Sequence, residues 1–174
     1  AGRPRSCLKA DLGPDQQDGY AGLHVLAECG FGGILADDMG LGKTVESLTL
    51  IAKYLDKGKA GPFLIIAPVS TLGNWSAETA RFLPGIEAVI HRGKDRAATM
   101  EELPDRGMLL TSYTTLHRDV RLLRELEWQL VVFDESQALK NHRTKTYRAA
   151  KSLHTDLFLA LSGTPVENNL MELW

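Results

Sequence analysis

The amino-acid sequence predicts an α/β fold with a mostly parallel sheet and helices on both of its faces. Short apolar segments and amphipathic segments alternate about six times, which is the order that parallel strands joined by crossover helices produce. The strand candidates are continuous apolar runs, as expected for strands buried on both faces. Polar loops follow several of these runs, and ligands of open α/β sheets bind at the carboxyl ends of the strands.

Length, composition and charge are those of an ordinary globular domain. The chain has 174 residues, is 44% hydrophobic and 24% charged, and carries a net charge of −2. We therefore expect one domain over 1–174, and any nucleic-acid contact must come from a local patch. No apolar run approaches the ~20 residues of a membrane span, so we expect no membrane partner. Cys7 and Cys29 have no metal spacing, which fits a reducing compartment, the cytoplasm or a nucleus.

In the first half of the chain, Gly and Pro mark the ends of the predicted elements. Pro14 suits the first turn of a helix that would end at Gly30. The apolar runs at 33–36 and 63–67 are typical of buried strands. The predicted elements are a helix over 14–30, a strand over 33–36, a helix from Lys43 to Leu55, a strand over 63–67, a helix over 71–82, a strand over 87–91 and a helix over 94–103.

In the second half, the spacing of apolar residues separates helices from strands. Leu116, Val120 and Leu123 recur at helical intervals, whereas 130–133 is an unbroken apolar run. The predicted elements are a strand over 108–111, a helix that includes 116–126, a strand over 130–133, a helix over 144–153, a strand over 157–161 and a helix over 166–174.

Residues 35–44, LADDMGLGKT, have the makings of a phosphate-binding loop between a strand and a helix. The glycines let the backbone turn tightly and aim N–H groups at an anion, and the helix dipole adds to the attraction. Lys43 would supply positive charge to the terminal phosphates and Thr44 a hydroxyl to Mg²⁺. The strict pattern has Gly where this chain has Asp37. The predicted nucleotide-binding residues here are Asp38, Met39, Gly40, Leu41, Gly42, Lys43 and Thr44.

Residues 131–135, VVFDE, have the form of a Walker B segment, an apolar strand that delivers carboxylates to the nucleotide. Asp134 would hold Mg²⁺, and Glu135 would orient and deprotonate the attacking water. Alone, such a pair is as often a helix N-cap. Because a phosphate loop lies upstream, we interpret Lys43, Asp134 and Glu135 as catalytic.

These motifs, with the flanking segments, resemble the Swi/Snf group of superfamily-two ATPases, the motors of chromatin remodellers and their bacterial relatives. The compact spacing between the motifs favours a bacterial member of the group. The resemblance covers the first of two RecA-like lobes, which is a P-loop fold. The segments that carry it are Gln16 in Pro14–Gly19, ADDMGLGKT at 36–44, LIIAPVSTLGNWSAE at 64–78, TSY at 111–113, DESQ at 134–137 and LSGTPVENNLMELW at 161–174.

The resemblance implies a role for each matching residue. Gln16 would recognise adenine, and Gln137 with Ser162, Gly163 and Thr164 would couple nucleotide state to the DNA cleft. Phosphate contacts to one strand of duplex DNA would come from Pro68, Ser70, Thr71, Asn74, Thr111, Ser112 and Tyr113. Gly13 and Asp15 depart from the arginine and aromatic residue of many relatives, and Ser136 stands where alanine or glycine is more usual.

Neutral hydrogen-bonding groups at 70–74 and 111–113 suit phosphate oxygens, which position a protein without reading sequence. Two basic sets stand out, and each has the alternative interpretation of a solvated helix face. One comprises Lys140, His142, Arg143, Lys145, Arg148 and Lys151, and the other Arg118, Arg121 and Arg124. We expect Trp75 and Trp128 to serve as core or partner-lobe contacts rather than as base-stacking platforms.

We therefore expect the ATP- and Mg²⁺-binding first lobe of a double-stranded-DNA translocase, whose partner is a second RecA-like lobe. Without that lobe and the arginine that relatives insert from it, the isolated chain is expected to hydrolyse ATP negligibly. Two rivals stay open, a strand-separating helicase lobe and a non-catalytic scaffold with a degenerate nucleotide site.

Overall fold

The computed structural model describes residues 33–36, 40–59, 61–94, 96, 106–139, 141, 143–155 and 157–162. The helices predicted over 14–30 and 166–174, and most of the helix predicted over 94–103, lie outside these ranges. Lys94 and Arg96, which are described, form a turn and a bend. Within the described ranges, each helix is either too short or too polar to span a bilayer.

The centre of the protein is a six-stranded sheet in which each of the recorded strand pairings is parallel. The strand order is β1-β8-β6-β2-β4-β3, and β5 and β7 pair in a separate two-stranded parallel sheet. The strands are β1 Gly33–Ala36, β2 Phe63–Ile66, β3 Ala88–His91, β4 Met108–Thr111, β5 Glu127–Trp128, β6 Leu130–Phe133, β7 His154–Thr155 and β8 Phe158–Ser162. The predicted α/β class and parallel sheet are confirmed.

Within the described ranges there are four α-helices, and two of them begin at a capping side chain. Ser112 caps one helix by accepting a hydrogen bond from the Thr115 N–H, and Thr144 caps another through the Tyr147 N–H. The helices are α1 Gly40–Asp56, α2 Val69–Phe82, α3 Tyr113–Leu123 and α4 Lys145–Ser152, and a 3₁₀ helix spans Ser136–Leu139.

The prediction that α1 starts at Lys43 is wrong, since the helix begins at Gly40. Glycine is unfavourable mainly in the middle of a helix, where it loses the most conformational freedom, and the first N–H groups of a helix have no partner inside it and stay available to an anion. The two glycines of the phosphate loop therefore lie in the first helical turn. The segment that joins β1 to the helix is correspondingly shorter than we expected.

The helices divide between the two faces of the sheet in the way that right-handed crossovers require. The chain moves from β1 through β2 to β3, then turns back through β4 and β6 to β8. Right-handed connections place the helices of the outward and return paths on opposite faces. Leu48, Leu72 and Ile65 belong to one apolar cluster, while Leu116, Ala149 and Leu64 belong to the other. This arrangement confirms helices on both faces.

A charged cluster fixes the edge strand β3 to α3. Arg96 Nε and Nη2 donate to the two carboxylate oxygens of Asp119 at 2.6 and 3.1 Å, and His91 Nε2 donates to Asp119 at 2.7 Å. The Asp119 backbone departs from helical geometry, with φ −107° and ψ 19°. Burial pushes the pKa of Asp119 upward, but hydrogen bonds and charge from Arg96 and His91 outweigh it, so the pKa lies below its ordinary value.

Replacing Asp119 with Asn should lower the melting temperature at neutral pH by a few degrees, because the charged partner of Arg96 is lost. A depressed carboxyl pKa stabilises the folded state above the ordinary value of about 4, and this stabilisation disappears as the pH falls through the folded-state pKa. Thermal melts of both proteins should therefore differ at neutral pH and converge in acid. The exposed Glu125→Gln substitution is the control, and a constant difference at all pH values would contradict the assignment.

Candidate functional site

The carboxyl ends of β1, β8, β6 and β2 lie side by side at one edge of the sheet, because neighbouring strands are parallel. The amino terminus of α1 follows β1 at this edge. Lys43 and Thr44 are 3% and 8% exposed, so both lie in the protein rather than on an open surface. Unpartnered N–H groups and the helix dipole at such a terminus attract anions. This end of α1 is therefore a candidate phosphate site.

Asp134 follows β6 and forms four hydrogen bonds, with α2, with α3, with β2 and with the adjacent Glu135. Its carboxylate accepts from the Trp75 indole N–H at 2.9 Å and from the Glu135 backbone N–H at 2.9 Å. Its carbonyl oxygen accepts from the Tyr113 hydroxyl at 2.6 Å, and its N–H donates to the Ile66 carbonyl at 2.7 Å. Backbone and carboxylate are both fixed before any ligand binds.

The surroundings of Asp134 disfavour its charged form. Burial raises the pKa of Asp134 above its ordinary value, the Trp75 and Glu135 N–H groups lower it, the Glu135 charge raises it, and the Lys43 charge lowers it. The net shift is upward, so an ionised Asp134 here carries an unfavourable desolvation that a bound cation would offset. The smallest of these effects comes from Lys43, which lies in the first turns of α1 at the same edge of the sheet.

Tyr113 is a hydrogen-bond donor at any ordinary pH. Burial, followed by the charges of Asp134 and Glu135, raises the pKa of its phenol well above the usual value. The hydroxyl therefore keeps its proton and continues to donate to the Asp134 carbonyl.

Glu135 has a left-handed backbone, with φ 50°, the one positive φ recorded for a non-glycine residue in the described ranges. This conformation costs an ordinary residue about 1–2 kcal/mol, and such strain concentrates at functional sites. Its carboxylate accepts a hydrogen bond from the Gln137 amide. The structure thus brings the predicted coupling residue Gln137 to the predicted catalytic carboxylate. Ser136 between them is fully buried, and its hydroxyl has no hydrogen-bond partner among the described residues.

The predicted DNA-contacting residues divide into an exposed and an engaged group. Ser70 and Asn74 are exposed near the start of α2. Thr111 is fully buried and donates to the His91 carbonyl at 2.8 Å, so its hydroxyl is not presented to solvent.

The other engaged side chains also have partners inside the protein. Ser112 is 3% exposed and caps α3, and Tyr113 bonds to Asp134. The Thr71 hydroxyl donates to the carbonyl of the half-buried Pro68 at 2.9 Å. Direct DNA contact by any of these residues stays a prediction, and the exposed pair on α2 is best placed for it.

We expected Trp75 to be a core or partner-lobe contact, but we did not predict its hydrogen bond to Asp134. The indole is fully buried, as expected, and so is Trp128. A buried indole N–H needs an acceptor. The sequence therefore held a signal for this contact. Trp75 comes after β2, and Asp134 comes directly after β6, the strand that pairs with β2.

The remaining predicted residues are placed only in part. Gly40, Leu41 and Gly42 form the first turn of α1, and Ser162 ends β8 in parallel register beside Ala36 of β1. Outside the described ranges lie Gln16, Asp38, Met39, Gly163 and Thr164, and also Lys140 and His142 of the first basic set.

The two basic sets predicted from the sequence contribute opposite walls of one groove between α3 and α4. The groove has a volume of about 270 Å³, and its lining is His117, Val120, Arg124, Lys145, Arg148, Ala149 and Ser152. Among the described residues that line the groove, none is acidic. A solvated helix face remains the alternative interpretation of the outer arginines Arg118 and Arg121.

Comparisons with known proteins agree in one family. The model of the SNF2-related domain matches residues 16–174. The chain is 43% identical over 168 residues to the ATP-dependent DNA helicase DDM1 of Arabidopsis thaliana, covering 91% of this chain and 22% of that protein. It is 42% identical over 174 residues to the putative ATP-dependent helicase/translocase YwqA of Bacillus subtilis, covering 96% of this chain and 18% of that protein.

Among solved structures, the chain is similar to the Sulfolobus solfataricus SWI2/SNF2 ATPase core in complex with double-stranded DNA. The TM-score is 0.80 at 38% identity, and the match covers 95% of this chain and 35% of that one. The same core domain in a second structure gives a TM-score of 0.77 at 37% identity. The chain thus spans less than half the length of each of these relatives.

Because the Glu135 backbone is left-handed, Glu135→Gly should be more stable than Glu135→Ala by about 1 kcal/mol. Both variants lack the carboxylate, so the comparison isolates the backbone. Urea unfolding of the two variants measures the difference. The same pair of substitutions at Glu125, a turn residue without a positive φ, should not favour glycine. An alanine variant at 135 as stable as the glycine variant would contradict the strain.

Proposed function

This chain belongs to the SNF2-related domain family, and we propose that it is the nucleotide-binding lobe of an ATP-dependent double-stranded-DNA translocase. The observation that carries the proposal is topological: the amino terminus of α1, with the buried Lys43, and the end of β6, with Asp134, lie at the same edge of the parallel sheet. Support comes from relatives named as ATP-dependent helicases and from the similar core in complex with double-stranded DNA. The site of action would be a bacterial nucleoid or a nucleus.

The charged and polar groups at this edge of the sheet are suited to binding Mg·ATP. A buried lysine and a helix amino terminus suit the phosphates, and the Thr44 hydroxyl with the Asp134 carboxylate suits Mg²⁺, a cation that prefers oxygen ligands. Asp134 has a raised pKa, so it is a group whose ionised form gains from a nearby cation. When bound, the metal would neutralise charge on the phosphates. Gln16 is the predicted adenine contact.

Glu135 is the residue that would accept the proton of the attacking water. Its backbone N–H donates to Asp134 and its carboxylate accepts from Gln137, so both neighbours set its orientation. The bond to the Gln137 amide occupies one of the two carboxylate oxygens and leaves the other able to accept a proton. Gln137, together with Ser162, Gly163 and Thr164, would couple the nucleotide state to the DNA cleft.

DNA would be held through its phosphates at the start of α2. Ser70 and Asn74 are exposed there, are neutral, and lie one helical turn apart. Such contacts position a protein on a duplex without reading its sequence, as a motor that moves along DNA requires. ATP binding would close this lobe on a second RecA-like lobe, and hydrolysis would reopen it.

In the two-lobed protein, Lys43→Ala should reduce hydrolysis of ATP stimulated by duplex DNA by about a hundredfold or more, because the positive charge at the phosphates is lost. Steady-state phosphate release with saturating duplex measures this. Lys59→Ala is the matched control, since Lys59 is exposed beyond the other end of α1.

Hydrolysis in Lys43→Ala equal to that of the unsubstituted protein would defeat the proposal, and a lack of duplex-stimulated hydrolysis in both would favour a scaffold with a degenerate nucleotide site. Stimulation by single-stranded DNA in place of duplex would instead favour the strand-separating helicase.

A further inference from the structure

Two helices that carry predicted DNA-contacting residues, α2 and α3, each donate a hydrogen bond to one residue, Asp134. From α2, the Trp75 indole N–H donates to the carboxylate at 2.9 Å. From the first turn of α3, the Tyr113 hydroxyl donates to the carbonyl oxygen at 2.6 Å. One bond therefore sets the direction of the carboxylate, and the other sets the position of the backbone that carries it.

Trp75 links the surface of α2 directly to the site. Its neighbour in sequence, Asn74, is exposed, whereas the Trp75 ring is fully buried. The ring lies in the same apolar cluster as Leu72 and Val132. Close packing leaves such a ring no freedom to move apart from its helix. A displacement of α2 against the sheet would therefore shift the indole N–H relative to the Asp134 carboxylate.

We propose that Trp75 and Tyr113 are positioning residues that couple engagement of DNA on α2 and α3 to the orientation of Asp134. The inference deepens the proposed function and rests on it. The Trp75 indole is the sole side-chain donor recorded for the Asp134 carboxylate within the described ranges, and the remaining bond comes from the adjacent Glu135 backbone. Without the indole N–H, movement of α2 would no longer redirect the carboxylate.

The coupling works in both directions. If DNA changes the affinity for nucleotide, nucleotide must change the affinity for DNA by the same factor. If Trp75 only filled the core, its substitution would weaken the binding of both ligands without changing that factor. The factor is therefore the quantity that separates a positioning residue from a residue that only fills the core.

The test uses Trp75→Phe in the two-lobed protein, which keeps an aromatic ring and removes the N–H donor. The affinity for a fluorescent, non-hydrolysable Mg·ATP analogue is measured with and without duplex DNA. The unsubstituted protein should show a change of about fivefold or more on adding DNA, the lower end of typical allosteric coupling. In Trp75→Phe the factor should fall towards one, while the affinity for DNA alone stays within about twofold because Ser70 and Asn74 are unchanged.

Trp128→Phe is the matched control. Trp128 is also fully buried, and its indole N–H donates to the Leu123 carbonyl at 2.8 Å, at the end of α3 opposite Tyr113. This variant should keep the coupling factor. Tyr113→Phe is a second test, independent of whether Trp75→Phe folds, and should also reduce the factor.

Undiminished coupling in Trp75→Phe, or in Tyr113→Phe should the first variant not fold, would overturn the inference while leaving the proposed function in place. An unsubstituted protein that hydrolyses ATP without any response to DNA would overturn the proposed function and this inference together.

Discussion

The candidate site depends on one constraint, which is that the half-buried carboxylate of Asp134 is fixed at the edge of the sheet. Burial raises the pKa of this group, which means that its ionised form is unfavourable there without partners. Its hydrogen-bond partners come from separate parts of the chain, namely α2 through Trp75, α3 through Tyr113 and β2 through Ile66. The parallel sheet brings these elements to one edge and thereby makes the site possible.

The sequence predicted well what local pattern determines. Unbroken apolar runs gave strands such as 63–66 and 130–133 to within a residue. That Lys43 and Asp134 serve one nucleotide stays a prediction, and the structure shows that the strands before them end at the same edge of the sheet. The two-residue strands β5 and β7 were missed, since so short a segment has no periodicity to detect.

What the sequence could not predict depends on tertiary partners. Nothing in the local pattern shows that the Thr111 hydroxyl donates to the His91 carbonyl inside the sheet, or that the Trp75 indole N–H donates to Asp134. The start of α1 was misplaced because the glycine pair was interpreted as a loop, whereas the structure continues the helix through it. The left-handed Glu135 likewise has no signal in its residue type, which ordinarily avoids that conformation.

The central claim is that Lys43 and Asp134 serve one Mg·ATP, and a double-mutant cycle on binding tests it most directly. Dissociation constants of a non-hydrolysable Mg·ATP analogue are measured for the two-lobed protein, for Lys43→Ala, for Asp134→Ala and for the double variant. The account predicts that the double variant loses less binding free energy than the sum of the single variants, with a coupling of about 0.5–3 kcal/mol. Additive losses would show that the two residues act independently and would contradict the account.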